Sequence, residues 1–285
     1  MAAPALPGAQ DLSSIPRRGR VLPAWSIIGW RWISRNPAVA IAPVLIPFIF
    51  LYFLRLISPG ADFPGEIVGA MLFTTQNTGN WVLGDSAWYR IENALQDLFV
   101  ASPMGKFRYL LGIAVSNLIA ASPALLVLSV LLALQPGVSI PITGWFVLLA
   151  VVLLLWVLFA AVGITISSRI RSRREVWPVG NLAFTTVGMI SPLYYPISIL
   201  PPLWQDAARF LPGTYAAELA KGALGLLSPS PGIGHYELDV LLLSVMSVVA
   251  LALALWLYRW REDDGVEMDP SGPGTESHGA PNEEP

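Results

Sequence analysis

The sequence predicts an all-α integral membrane protein with six transmembrane helices, an N-terminal interfacial helix and an outward-facing re-entrant helical pair between helices 5 and 6. The first observation is composition: of 285 residues, 54% are hydrophobic and 13% are charged, and the mean hydropathy is +0.60. Soluble domains carry about 25% charged residues. The second is that six apolar segments approach or exceed the roughly 20 residues that a helix needs to cross a hydrocarbon core. The third is that lysine and arginine gather on one side of those segments.

A predicted interfacial helix at residues 22–36 precedes the spans. Leu22, Trp25, Ile28 and Trp32 recur at helical spacing, with Arg31 beside this stripe. Tryptophan favours the headgroup boundary and arginine reaches lipid phosphates from it, so we expect this helix to lie in the cytoplasmic interface. The alternative is a simple extension of the first span. The six predicted spans follow at residues 38–57, 65–83, 109–134, 144–167, 178–199 and 238–258.

The two ends of the chain differ from this body. Residues 1–21 are rich in Ala, Pro and Ser without a period, and we predict a disordered cytoplasmic N-terminus. From Glu262 onward there are eight acidic residues and no basic one, which predicts a disordered acidic tail at 261–285. Residues 22–260 then form one transmembrane domain, and the chain outside the acidic run holds 17 basic and 11 acidic residues.

The basic residues also predict the orientation. With the N-terminus inside, 14 of the 17 lysine and arginine residues fall on the cytoplasmic side. The outer side receives Arg209 and Lys221, and Arg55 lies at the outer end of the first span. Because cytoplasmic loops carry the excess of positive charge, we expect both termini in the cytoplasm and the stretch 189–223 outside.

Several kinds of chemistry are excluded by what the sequence lacks. There is no cysteine, and the two histidines lie in a predicted loop and in the tail, so we expect no metal site and no cofactor on this chain. No G-x-x-x-x-G-K-[ST] phosphate loop is present, and no catalytic motif or catalytic residue is found. No span has an ionisable residue near its centre, which argues against an ion-driven carrier.

Two spans carry unusual polar faces. In the second, Thr74, Asn77 and Thr78 share one face, and in the fifth Asn181 and Thr185 form a weaker polar line. Hydroxyls and amides are costly against lipid unless they find partners across helices or in water. One interpretation is hydrogen bonding between helices of one subunit. The other is that both faces line a translocation path, and the residues alone leave the two open.

Proline organises the stretch 189–223. An apolar helix is interrupted at Pro192 and Pro196, meets Pro201 and Pro202, and resumes as short amphipathic pieces separated at Pro212. Proline removes a backbone donor and clashes with the preceding turn, so this stretch cannot be one straight span. Tyr215 follows the last break, and we predict a re-entrant turn built on Pro201, Pro202, Pro212 and Tyr215.

A predicted amphipathic helix at 86–101 joins the second and third spans. Ile91, Leu95, Leu98 and Phe99 repeat at helical spacing, and Ser102-Pro103 ends the segment. A helix this short cannot cover all four apolar side chains itself. We therefore expect part of the stripe to enter a groove on a partner, with Leu95 as the central anchor.

These two stretches together resemble the ABC-2 type transporter permease family. The step Leu211-Pro212-Gly213-Thr214-Tyr215 stands where that family has its outer Pro-x-Thr-Tyr-like turn, and Glu92, Leu95 and Ser102-Pro103 match its coupling helix. The family's Gly-Thr pair is replaced here by Asn93-Ala94, and Asp97 is out of register with its second glutamate.

The resemblance implies a permease subunit of an ATP-driven exporter. It implies separate ATPase subunits that bind ATP and magnesium, a second permease copy in a dimer, a plasma-membrane location and lipid around the spans, with no nucleic acid partner. Drugs, lipids and lipid-linked glycans are the substrate classes, and the path would run between two permeases beside the second and fifth spans. The coupling helix would use Ile91, Glu92, Leu95, Leu98 and Phe99.

The alternative reading of the same residues is a membrane scaffold or assembly protein that transports nothing. It requires the polar faces of the second and fifth spans to be purely structural. An ATPase with phosphate-binding motifs encoded beside this chain would favour the exporter over the scaffold.

Overall fold

The computed structural model describes residues 35, 37–57, 62–91, 96, 105–136, 138–226 and 236–258. Within these residues the structure is helical and contains no strand. The predicted interfacial helix at 22–36, apart from Arg35, and both predicted disordered ends at 1–21 and 261–285 lie outside the described residues.

The helices follow one another in chain order with short connections. They are α1 (Pro37–Ile57), α2 (Phe63–Ile91), α3 (Lys106–Ala133), α4 (Ile142–Ser167), α5 (Arg173–Gly180), a π-helical segment (Asn181–Thr186), α6 (Val187–Ile190), a 3-10 turn (Ile197–Ile199), α7 (Pro202–Ala208), α8 (Pro212–Ala223) and α9 (Tyr236–Leu257).

Three of the described helices, α3, α4 and α9, are long and apolar enough to cross a membrane. Helix α1 contains a shorter apolar stretch at Val44–Ile57. The surface of these helices is covered with exposed apolar side chains such as Ile49, Leu126, Phe146 and Val248, as expected where lipid is the solvent. The structure is therefore consistent with a helical membrane protein, and the six-span topology remains a prediction.

The first, third, fourth and sixth predicted spans coincide with α1, α3, α4 and α9 to within three residues at each end. The second prediction was too short, because α2 continues past residue 83 to Ile91. The prediction for the fifth span, 178–199, was wrong at both ends. Its helix begins at Arg173, where the Ser172 hydroxyl accepts a hydrogen bond from the backbone N–H of Arg174 at 3.3 Å, and ends at Ile190, just before Ser191 and Pro192.

Helix α2 is the central element of the fold. It packs against α3, α4, α5 and α8, and its apolar residues Ile67, Leu72 and Leu83 are completely buried. Where α2 crosses α4, Gly79 faces Gly163, and a Cβ on Gly163 would collide with the carbonyl of Gly79. The two glycines therefore permit the close approach of the helix backbones that membrane helix pairs commonly use.

Helix α9 completes the bundle by packing on α4. The Ser247 hydroxyl donates to the carbonyl of Leu154 at 3.1 Å, near the middle of both helices. On the other side of α4, the Trp156 indole N–H donates to the carbonyl of Ala114 in α3 at 3.3 Å. Gly144 near the start of α4 lies against the carbonyl of Ala223, and Tyr236 at the start of α9 lies against Gly222. Both helices therefore start beside the end of α8 and run in the same direction, so their C-terminal ends lie at the same end of the bundle.

The proline-rich stretch forms two short helices, as the prolines predict. Pro202 and Pro212 are the first residues of α7 and α8, a position where the missing N–H costs no hydrogen bond. The Thr214 hydroxyl donates to the carbonyl of Ala208 at 2.5 Å and fixes the turn between them. Helix α8 then packs against α2, α4 and α9; whether the pair re-enters a membrane stays a prediction.

Candidate functional site

The polar run on α2 divides into two sets of side chains. The first set bonds within its own helix: the hydroxyls of Thr74, Thr75 and Thr78 donate to the carbonyls of Ala70, Met71 and Thr75 at 2.8, 2.9 and 2.6 Å. Thr74 and Thr78 are both buried. The hydroxyl protons of these three threonines are therefore used within α2.

The second set, Gln76 and Asn80, reaches across to the fifth helix. The Gln76 amide nitrogen donates to the carbonyl of Phe184 at 3.0 Å, and the Asn80 amide nitrogen donates to Oδ1 of Asn181 at 3.2 Å. Both side chains are buried, and the amide oxygens of both lack a hydrogen-bond partner in the described part of the chain. Polar contact between the two helices therefore depends on Gln76 and Asn80.

A π-helical segment, Asn181–Thr186, lies opposite these two amides. Such segments are rare and occur frequently at functional sites. Two glycines flank it and bring the backbone against α2: a Cβ on Gly180 would collide with Oδ1 of Asn80, and one on Gly188 would lie 2.7 Å from the ring of Phe73. Between them the Phe184 ring is buried against Phe159 of α4, with centroids 6.0 Å apart.

The structure brings some of the predicted path residues together and separates others. Asn181 contacts α2 through Asn80 but is itself exposed, and Asn77 and Thr185 are half-buried. Thr74 and Thr78 are buried and bonded to their own helix. The five predicted residues thus do not form a single open surface within one subunit.

The residues that the sequence reasoning missed are Gln76 and Asn80. They lie within the polar run, one helical turn apart, on a face beside the one that was chosen. Their spacing of four residues was the available signal. Nothing in the run itself indicates that this face meets the fifth helix, because that depends on Gly180 and Gly188 in another part of the chain.

Of the predicted coupling residues, Ile91 lies in the described part of the chain. Glu92, Leu95, Leu98 and Phe99 lie outside the described residues. Ile91, the last residue of α2, is half-buried and packs against the main apolar core.

The predicted outer turn is held by side chains that bond to helix ends. Pro201 and Pro202 are exposed, Pro212 is buried and Tyr215 is half-buried. The Tyr215 hydroxyl donates to the carbonyl of Arg209, which follows α7 directly. These contacts fix α7 against α8, which gives the four predicted residues a structural role in the turn.

At the other end of α8 from this turn, the structure buries two charged side chains. Lys221, in the last turn of α8, and Glu66, in the first turn of α2, are 8% and 3% exposed. Asp62 and Glu66 both act electrostatically on Lys221, and Arg55 acts on Glu66. One carboxyl oxygen of Glu66 has no hydrogen-bond partner in the described residues, and Arg55 and Lys221 act on this carboxyl group through space. The described residues contain no cluster of His, Cys, Asp and Glu that could hold a metal ion.

Comparison with known proteins gives one family. The sequence profile described as ABC-2 type transporter matches residues 23–224, which is more than half of the chain. The match extends from before α1 to the residue after α8. A comparison with curated proteins found no match.

Proposed function

Since this chain belongs to the ABC-2 type transporter family, we propose that it is the permease subunit of an ATP-driven exporter. The observation that carries the proposal is the family match over residues 23–224. It includes α2, the fifth helix with its π-helical segment, and the α7–α8 pair. The chain provides the membrane path and the moving helices, and no covalent chemistry takes place on it.

ATP hydrolysis belongs to a separate partner in this proposal. The sequence contains no phosphate-binding loop, so ATP and magnesium bind to ATPase subunits docked on the cytoplasmic face. The segment 86–101 is the proposed contact, with the side chains of Leu95, Leu98 and Phe99 in a groove of the ATPase. The bias of 14 of 17 basic residues supports the placement of this segment and of both termini in the cytoplasm of a plasma-membrane protein.

The proposed path lies where two permease copies meet beside α2 and the fifth helix. Asn181 is exposed and Thr185 is half-buried on a helix face that also exposes Leu182 and Met189. Polar side chains at membrane depth require polar partners or water. A second copy related by two-fold symmetry, the commonest arrangement of oligomers, would supply that environment. The neutral amides and hydroxyls suit a drug, a lipid or a lipid-linked glycan as substrate.

The test is recovery of the ATPase with the tagged chain from its native membrane in mild detergent. The wild-type chain should retain an ATPase that carries phosphate-loop motifs. Leu95→Asp should lose it, because a charge buried at the centre of an apolar contact costs several kcal/mol, and ~1.4 kcal/mol already changes the affinity tenfold. Leu95→Met is the matched control and should retain the ATPase.

Two results would contradict the proposal in different ways. A wild-type chain that binds no ATPase would favour the membrane scaffold. Full recovery of ATPase with Leu95→Asp would leave the exporter standing but remove segment 86–101 as the contact.

A further inference from the structure

The last turn of α2 carries a residue that is bonded to the end of another helix. Arg90 lies in the last turn of α2. Its Nη2 donates to the carbonyl of Ser167 at 2.6 Å and also to the carbonyl of Ile170. Ser167 is the last residue of α4, and Ile170 follows in the next turn. The last carbonyls of a helix carry the negative end of its dipole, so Arg90 caps the C-terminal end of α4.

The first residue of α3 is a second cation with the same kind of partner. Lys106 is the first residue of α3, and its ammonium donates to the carbonyl of Leu255 in the last turn of α9. Hydrogen bonds from charged donors are roughly twice as strong as neutral ones. Arg90 therefore holds the end of α2 against the C-terminal end of α4, and Lys106 holds the start of α3 against the C-terminal end of α9.

Neutral side chains add two further connections to the same helix ends. The hydroxyl of Ser167 donates to the hydroxyl of Ser86 at 2.9 Å. The hydroxyl of Tyr258, just after α9, donates to Oε1 of Gln96 at 2.9 Å, and Gln96 is 4% exposed. Gln96 lies between α2 and α3, so the ends of α4 and α9 receive bonds from the last turns of α2, from Gln96 and from the first residue of α3.

We propose that Arg90 and Lys106 are positioning residues that transmit movement of the C-terminal end of α2 and the first turn of α3 to the ends of α4 and α9. The inference rests on the proposed function, in which the ATPase acts on the chain between α2 and α3. Helices α4 and α9 are mutually bonded at mid-length through Ser247 and Leu154, and α4 lies backbone to backbone with α2 at Gly79. A displacement delivered at their C-terminal ends therefore acts on helices packed against the proposed path.

If Arg90 and Lys106 only stabilised the helix ends, their loss would have different effects from the loss of contacts that transmit movement. Loss of a structural cap lowers the amount or the stability of the protein, and each assembled complex then works normally. Loss of a transmitting contact leaves complexes that bind the ATPase and hydrolyse ATP while the helix ends no longer respond to nucleotide.

The test uses the native absence of cysteine, which makes every introduced cysteine a unique labelling site. An environment-sensitive fluorophore is placed at Arg171→Cys, beyond α4, or at Trp256→Cys, at the end of α9; both positions are exposed. The fluorescence change on addition of ATP and vanadate is measured in the full-length chain bound to its ATPase. It is expressed per bound ATPase, so differences in abundance cancel.

Each substitution should remove the nucleotide-dependent fluorescence change of one label. Arg90→Gln should abolish the response at Arg171→Cys, and Lys106→Gln the response at Trp256→Cys, with ATPase binding retained. Arg90→Lys and Lys106→Arg, which keep a charged donor, should restore part of the response. Arg169→Gln is the matched control: it removes an exposed arginine from the same turn as Ile170, and it should leave both responses intact.

The results that would overturn the transmitting role differ from the result that would refute the proposed function. Normal responses per bound ATPase in Arg90→Gln and Lys106→Gln would overturn the transmitting role and leave the proposed function untouched. Loss of ATPase binding in these variants would also overturn it, because the two residues would then be needed for docking. A wild-type chain without any bound ATPase would refute the proposed function itself.

Discussion

Replacing Gly79 with alanine tests the crossing of α2 and α4. A Cβ at this position would lie 2.6 Å from the carbonyl oxygen of Phe159 and would collide with the ring of Phe184. Ordinary carbon–oxygen contacts are ~3.3 Å or longer, so the helices have to separate by ~0.7 Å. Overpacking of this kind costs about 1–3 kcal/mol. The separation also disturbs the helix that holds Gln76 and Asn80 against the π-helical segment.

The matched control is Gly84→Ala on the same helix. The nearest atom to a Cβ there is Cη2 of Trp177 at 4.0 Å, so no clash arises. Both variants gain the same alanine preference for helix, about 0.5–1 kcal/mol, and the difference between them isolates the clash. Thermal unfolding in mild detergent should place Gly79→Ala below Gly84→Ala by about 1–3 kcal/mol. Equal stabilities would refute the close crossing.

Three further predictions concern topology, path and buried charge. Ser230→Cys should react with an impermeant maleimide in intact cells, whereas Ser172→Cys should react only after the cells are opened; outside labelling of Ser172→Cys would overturn the orientation. Asn77→Leu should reduce transport at normal abundance, since one interhelical bond is worth only about 0.6 kcal/mol, and unchanged transport would remove Asn77 from the path. Lys221→Met should lower the unfolding temperature, because it leaves the buried carboxylate of Glu66 with less compensation. The double variant Lys221→Met with Glu66→Gln should recover part of that loss of stability. If the effects of the two substitutions simply add, Lys221 and Glu66 do not interact.

The apolar helices are predicted well because each signal lies within its own segment. The spans that became α3, α4 and α9 are continuous apolar runs, and their bounds follow directly from the sequence. The starts of α7 and α8 at Pro202 and Pro212 follow from proline chemistry in the same way. The fifth span was carried to residue 199 although Pro192 already interrupts the helix, which ends at Ile190.

Prediction of α2 stopped short because its last two turns are polar. Asp85 accepts a hydrogen bond from the Asn117 amide at 2.8 Å, and Arg90 bonds to the end of α4. These partners come from α3 and α4, which lie far along the chain. The prediction from hydropathy therefore ended at residue 83, whereas the helix, stabilised by these tertiary contacts, continues to Ile91.

The sequence predicted only part of the candidate site, because the rest depends on contacts between distant parts of the chain. The sequence shows that α2 carries an unusual polar run and that Asn181 and Thr185 share a face. It does not show which amides cross between helices. That choice depends on Gly180 and Gly188, whose missing side chains let the fifth helix approach α2. Arg90 likewise counted only as one more cytoplasmic charge, although its guanidinium bonds to the end of α4.

The most direct test of the exporter is ATP-driven movement of a membrane component by the purified complex. The chain with its ATPase would be reconstituted into proteoliposomes that contain the lipid extract of the source membrane. Mass spectrometry would then compare components accessible on each side with and without ATP. We predict that at least one lipid, glycolipid or lipophilic compound moves across the bilayer only with ATP, and that a phosphate-loop lysine substitution in the ATPase stops it. A complex that hydrolyses ATP while every component of the extract keeps its distribution would contradict the account.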